Sequence, residues 1–145
     1  MKSSGLGNLI YVNLYQNKHQ PFILMINKQL FIDNFKVFDK EIVIEIINIF
    51  FEEYPDRFKR MDKNMVELNY KDLAFNAHSL KGVVSNFASP VLFELAREVE
   101  KMASALRDGN TDPDLTFRLS LCYPKMKEAA GEFYIDLNEL IKHYN

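Results

Sequence analysis

The chain has 145 residues, 48% of them hydrophobic, which suits one domain with a real core and excludes a disordered tail or a small disulfide-stapled scaffold. Eighteen Lys and Arg stand against twenty Asp and Glu, a net charge of -2, so no global positive field exists to attract nucleic acid or anionic lipid. The single cysteine, Cys122, excludes an internal disulfide and reads as a small core residue; with no apolar run of membrane-spanning length and no secretory leader, the chain is expected to be soluble and cytoplasmic.

Residues 1–24 form an N-terminal extension without an assigned structure. LIYVNLYQ has β-type composition and PFILM is a short apolar run, but neither sustains a helical period. A packed arm and a disordered extension both fit, and Met25, just before the first helix, leaves room for a shorter natural product.

From Asn27 onward the pattern is helical. A short first helix, about Asn27 to Phe35, carries Leu30 and Phe31 on one side and is expected across an end of the bundle. The second opens at Asp39, whose carboxylate suits an N-cap, and places Val43, Ile46, Ile47, Phe50, Tyr54, Phe58, Met61 and Met65 at helical spacing. Pro55 inside it predicts a kink, not an end. After a turn near Glu67 to Asn69, the third helix is expected over about Tyr70 to Ala88, with Leu73, Ala77, Leu80, Val84 and Phe87 stepping by 4, 3, 4, 3 as a core seam.

Ser89-Pro90 is a restart signal, followed by the seam Leu92, Leu95, Val99, Met102 and Leu106, with Glu94, Arg97, Glu98 and Lys101 on the wet face. Residues 107–113 form a loop containing Gly109, and Asp112-Pro113 opens a last helix to about His143 through Leu119, Tyr123, Met126, Ala130, Phe133, Leu137, Leu140 and Tyr144, with a bend at Pro124. Four amphipathic segments joined by short loops predict an all-α, antiparallel up-down-up-down four-helix bundle over residues 25–145.

One stretch of the third helix, AHSLKGVV, is not explained by stability. Glycine in a helix interior costs roughly 1 kcal/mol against alanine. With the seam set at zero, the helical period points His78 roughly 140° from the core, Lys81 roughly 80°, Ser85 roughly 120° and Gly82 roughly 180°. An exposed neutral imidazole is a nucleophile at physiological pH, Lys81 offers a charge to phosphoryl oxygens, and Gly82 leaves the backbone open to a partner's approach. Ser85 offers a hydrogen bond one turn on. Phe75 stands on the exposed side of its own turn as a docking candidate, with burial against a neighbouring helix or the N-terminal arm as the alternative.

The segment AHSLKGVVSNFASPVLFELAREVEKM resembles the signature of histidine-containing phosphotransfer (HPt) domains, and the likeness extends over about residues 26 to 142, including the proline of the second helix. The resemblance implies a phosphocarrier between aspartates of response-regulator receiver domains, fed by a hybrid sensor histidine kinase. His78 would be the phosphoacceptor, Lys81 the phosphate-stabilising residue and Gly82 the access residue. The chain would act as a monomer without its own cofactor, with Mg²⁺ supplied by the receiver, and without ATP-dependent kinase activity of its own. Glu100 matches an acidic residue of the family's next helix, but Val99 stands where the family often has leucine, and a surface charge explains Glu100 equally well. Ala88 stands where the family often has glycine. The alternative function is a helical module that docks receiver or kinase domains without carrying phosphate. A metal-binding bundle is disfavoured, because no inward Glu-x-x-His pair appears.

Overall fold

The computed structural model describes residues 25–145, and the expectations for residues 1–24 lie outside the described residues. The described residues form five α-helices and no strand: α1 (Lys28–Phe35), α2 (Lys40–Glu67), α3 (Tyr70–Val84), α4 (Pro90–Arg107) and α5 (Pro113–Leu140), with a 3-10 turn at Ile141–His143. Packing is most extensive between α3 and α4, then α4 and α5, and α2 joins α3 on one flank and α5 on the other. Each long helix therefore has two helical neighbours, which is what a bundle core requires.

The seams explain this arrangement. Leu73, Ala77, Leu80 and Val84 of α3, and Leu92, Leu95, Val99 and Met102 of α4, are buried, as are Leu119, Tyr123, Met126, Ala130, Phe133, Leu137 and Leu140 of α5. At one end of the core the rings of Phe50, Phe87 and Phe133 meet with centroids 5.1 to 6.0 Å apart. Phe31 of α1 joins them, 5.6 Å from Phe87 and 6.3 Å from Tyr144. The short helix is thus held by burial of Phe31 and Phe35, each such ring stabilising by about 1.5–3 kcal/mol. Leu30, expected beside Phe31, is instead half-exposed.

Helix ends are where the sequence expectations need correction. α3 stops at Val84, not Ala88: residues 85–88 form turns, and Ala88 takes a left-handed φ of 55° that bars it from the helix. Its backbone occupies the position a glycine would favour, at a cost of roughly 1 kcal/mol for an L-residue. Leu68, after α2, adopts the same conformation. Asp39 and Ser89 stand at their N-caps as expected, yet neither side chain makes a capping bond; Asn27, Asn69 and Asp112 do. α2 runs on through Pro55 and α5 through Pro124.

Polar links also cross between helices in this frame. Asn76 Nδ2 of α3 donates to Asn64 Oδ1 of α2 at 3.0 Å in the core. Asp62 of α2 accepts from the Tyr123 hydroxyl of α5 at 2.6 Å and from Lys127 Nζ at 2.7 Å. No helix of the described residues is long and apolar enough to cross a membrane.

Candidate functional site

The same helical period that buries the α3 seam turns His78 outward, leaving its side chain 65% exposed. Across the groove to α4, Glu100 reaches back toward it. His78 Nδ1 lies 2.7 Å from Glu100 Oε1, and Lys81 Nζ lies 2.7 Å from Glu100 Oε2 as an ion pair. One carboxylate thus bridges the imidazole and the lysine that α3 presents one turn apart. Burial alone would raise the Glu100 carboxyl, but the bonds from Lys81 and then His78, with their charges, outweigh it and hold it below its usual range.

That direction fixes the chemistry of the ring. An ionised carboxylate only accepts hydrogen bonds, so the proton in the His78–Glu100 bond sits on Nδ1. In the neutral ring the lone pair then lies on Nε2, which has no hydrogen-bond partner among the described residues. The ring is pinned on its inner nitrogen and open on its outer one. Charge-assisted bonds of this kind are about twice as strong as neutral ones, so the imidazole is oriented and not merely exposed.

Gly82 is exposed, one turn after His78. A Cβ added there would meet nothing within 4 Å. No helix among the described residues needs that side chain to be missing, so their packing does not explain a helical glycine here. The Ser85 hydroxyl is exposed and donates to the Gly82 carbonyl at 2.7 Å, committing its proton to the end of α3. Phe75 is 68% exposed, one turn before His78 on the same side and not buried against a neighbouring helix; the alternative of burial against the N-terminal arm lies outside the described residues. Lys81 is more covered than its angle suggested, 24% exposed, because Glu100 draws it against α4.

Beyond Gly82 the surface becomes apolar. A groove of about 430 Å³ runs between α1, α2 and the end of α3, lined by Phe38, Ile46, Ile49, Val83 and Phe87 and edged by Asn86. Phe38 and Ile49 are each about half-exposed. Among the described residues no group of three or more His, Cys, Asp or Glu side chains is arranged to hold a metal ion.

The sequence brings His78, Lys81 and Gly82 together but leaves Glu100 equally a match to the family's acidic residue and a surface charge. The available signal was its place beside the buried seam residue Val99, which directs it to the edge of the α3–α4 interface. Glu94, expected on the wet face, is also partly covered, bound in a two-pronged pair with Arg97.

No curated protein and no solved structure matches the chain. The Hpt domain family matches residues 45–130, more than half of the chain, a span that holds His78, Lys81, Gly82 and Glu100. Hpt domains take part in phosphorelays, where they meet receiver domains and kinases, and this chain belongs to that family.

Proposed function

We propose that this protein relays a phosphoryl group between receiver-domain aspartates through His78. The observation that carries the reading is the Nδ1 bond to Glu100, which leaves the Nε2 lone pair outward on a rigid helix. In the forward step Nε2 attacks the phosphorus of an aspartyl phosphate held in line by the partner. The N–P bond forms as the P–O bond breaks, and the departing oxygen keeps the electron pair as the aspartate carboxylate. Nδ1–H stays bonded to Glu100, which balances the positive charge the ring acquires. Reversal toward a second aspartate completes the relay.

Lys81 serves the phosphoryl oxygens, moving from Glu100 by rotation of its flexible stem. Gly82 admits the phosphoryl group and the partner's surface. Phe75 and the groove edge supply apolar docking area of the modest size that transient signalling encounters use, and Ser85 adds a lone pair at the rim. Mg²⁺ belongs to the receiver in this scheme, and no ATP chemistry is assigned to the chain. The finer architecture is an up-down-up-down antiparallel bundle of residues 25–145, supported by the cycle of helix neighbours and the short loops, acting as a monomer in the cytoplasm.

The test is incubation with a phosphorylated receiver. Acid-labile, base-stable label on the wild-type protein that disappears in His78→Gln is the expected result. Retained receiver binding with no label on the wild type would replace the relay by a docking module.

A further inference from the structure

The chain is tied down from its first described residue. Met25 and Ile26 are 1% and 4% exposed, both in the core. The Met25 and Ile26 amides donate to the carboxylate of Asp136 on α5, and the Asn27 amide donates to the Ala88 carbonyl at 2.8 Å. Three successive backbone donors are thus engaged before α1 begins.

Among the described residues Asp136 has no counter-charge. It is partly buried, and no Lys, Arg or His side chain of the described residues pairs with it. Glu132, one turn back on the same stripe of α5, is a further carboxyl there, and the charges of Glu128 and Asp136 act on it. Burial, outweighing its two amide donors, holds the Asp136 carboxyl above its usual range, and burial with the charges of Glu128 and Asp136 does the same to Glu132. A part-buried carboxylate with donors but no cation is an incomplete ion site.

The nitrogen already bonded to Asp136 belongs to a methionine. At the start of a chain that nitrogen is an α-ammonium, with three donors and a full positive charge in place of one amide proton. We propose that the working form of this protein begins at Met25, and that its α-ammonium is the cation Asp136 receives. The Met25 side chain is required where it stands, since it is one of the largest fully buried side chains of the fold. The His78–Glu100–Lys81 cluster and the Hpt match at residues 45–130 both lie after Met25. The inference does not depend on phosphoryl transfer.

Two measurements test it, and failure of either overturns it. First, the gene is expressed in its own cells from its own upstream DNA with a C-terminal tag, and the intact mass of the product is read. A product beginning at Met25 is expected; one beginning at Met1 overturns the proposal. Second, the 145-residue chain is compared with one that starts at Met25 with a free amine. The shorter chain should melt about 4 °C higher, the shift expected for a contribution near 1 kcal/mol in a domain of this size. Asp136→Asn should remove that gain while lowering the longer chain's melting temperature little, and one alanine placed before Met25 should remove it too. Equal melting of the two chains, or equal loss in both on Asp136→Asn, would show that no ammonium is bound there.

Discussion

Two carboxylates of this bundle have the same arrangement and opposite chemistry. Glu100 joins the His78 ring nitrogen and the Lys81 ammonium, each at 2.7 Å; Asp62 joins the Tyr123 hydroxyl at 2.6 Å and the Lys127 ammonium at 2.7 Å. Both carboxyls are held below their usual range, in each case by hydrogen bonds and charges that outweigh burial. The difference lies in the ring. Tyr123 is buried, its only hydrogen-bonding atom points at Asp62, and burial followed by that bond raises its ionisation far out of reach. His78 is exposed and has a second nitrogen. A bridging carboxylate therefore makes a structural pin or a reactive centre according to whether the ring it holds keeps an unused, accessible atom.

The sharpest way to break this comparison is Glu100→Ala. A hydrogen bond to a charged group contributes about 1.5–3 kcal/mol, so transfer to His78 from a phosphorylated receiver should slow about 10- to 100-fold, with part of the rate recovered in Glu100→Gln, which keeps an acceptor. An unchanged rate would make Glu100 a surface charge after all. The counterpart is Tyr123→Phe, expected to destabilise by about 1 kcal/mol in urea unfolding while leaving transfer intact. A matching drop in transfer would mean that the two clusters are not independent.

Gly82→Ala separates access from stability. With no atom in the path of the new methyl, the variant should gain up to about 1 kcal/mol, near 4 °C in melting temperature, yet accept phosphate more slowly. Equal transfer rates would remove the partner-access explanation. The smallest effect on folding is expected for Lys81→Ala, within about 0.5 kcal/mol of wild type, with faster loss of phosphohistidine followed by acid-labile label. Unfolding at a much lower temperature would instead make the lysine structural.

What could be read from the residues divides along physical lines. The seams of α3, α4 and α5 were legible because a buried stripe must recur at the helical period whatever the neighbours are. The outward bearing of His78 followed from the same arithmetic. Glu100 was not legible as its partner, since 22 residues separate them and only the alignment of α3 on α4 brings the two atoms to 2.7 Å. The end of α3 was missed because nothing in the alanine side chain announces that residue 88 will take a left-handed turn; the tie from Asn27 N–H to the Ala88 carbonyl holds that turn in place from outside it. Asp39 and Ser89 show the converse, marking their boundaries correctly without the side-chain bonds that usually explain the preference.

The amide pair Asn64–Asn76 has a consequence for the imidazole two residues further on. A leucine seam tolerates small rotations of a helix about its own axis, because dispersion contacts are forgiving of angle. A buried amide is not: turning α3 by one residue would strand both partners, at about 1–3 kcal/mol for each orphaned group. The pair acts as an indexing key, and the azimuth of the His78 imidazole is settled by the packing of the bundle itself.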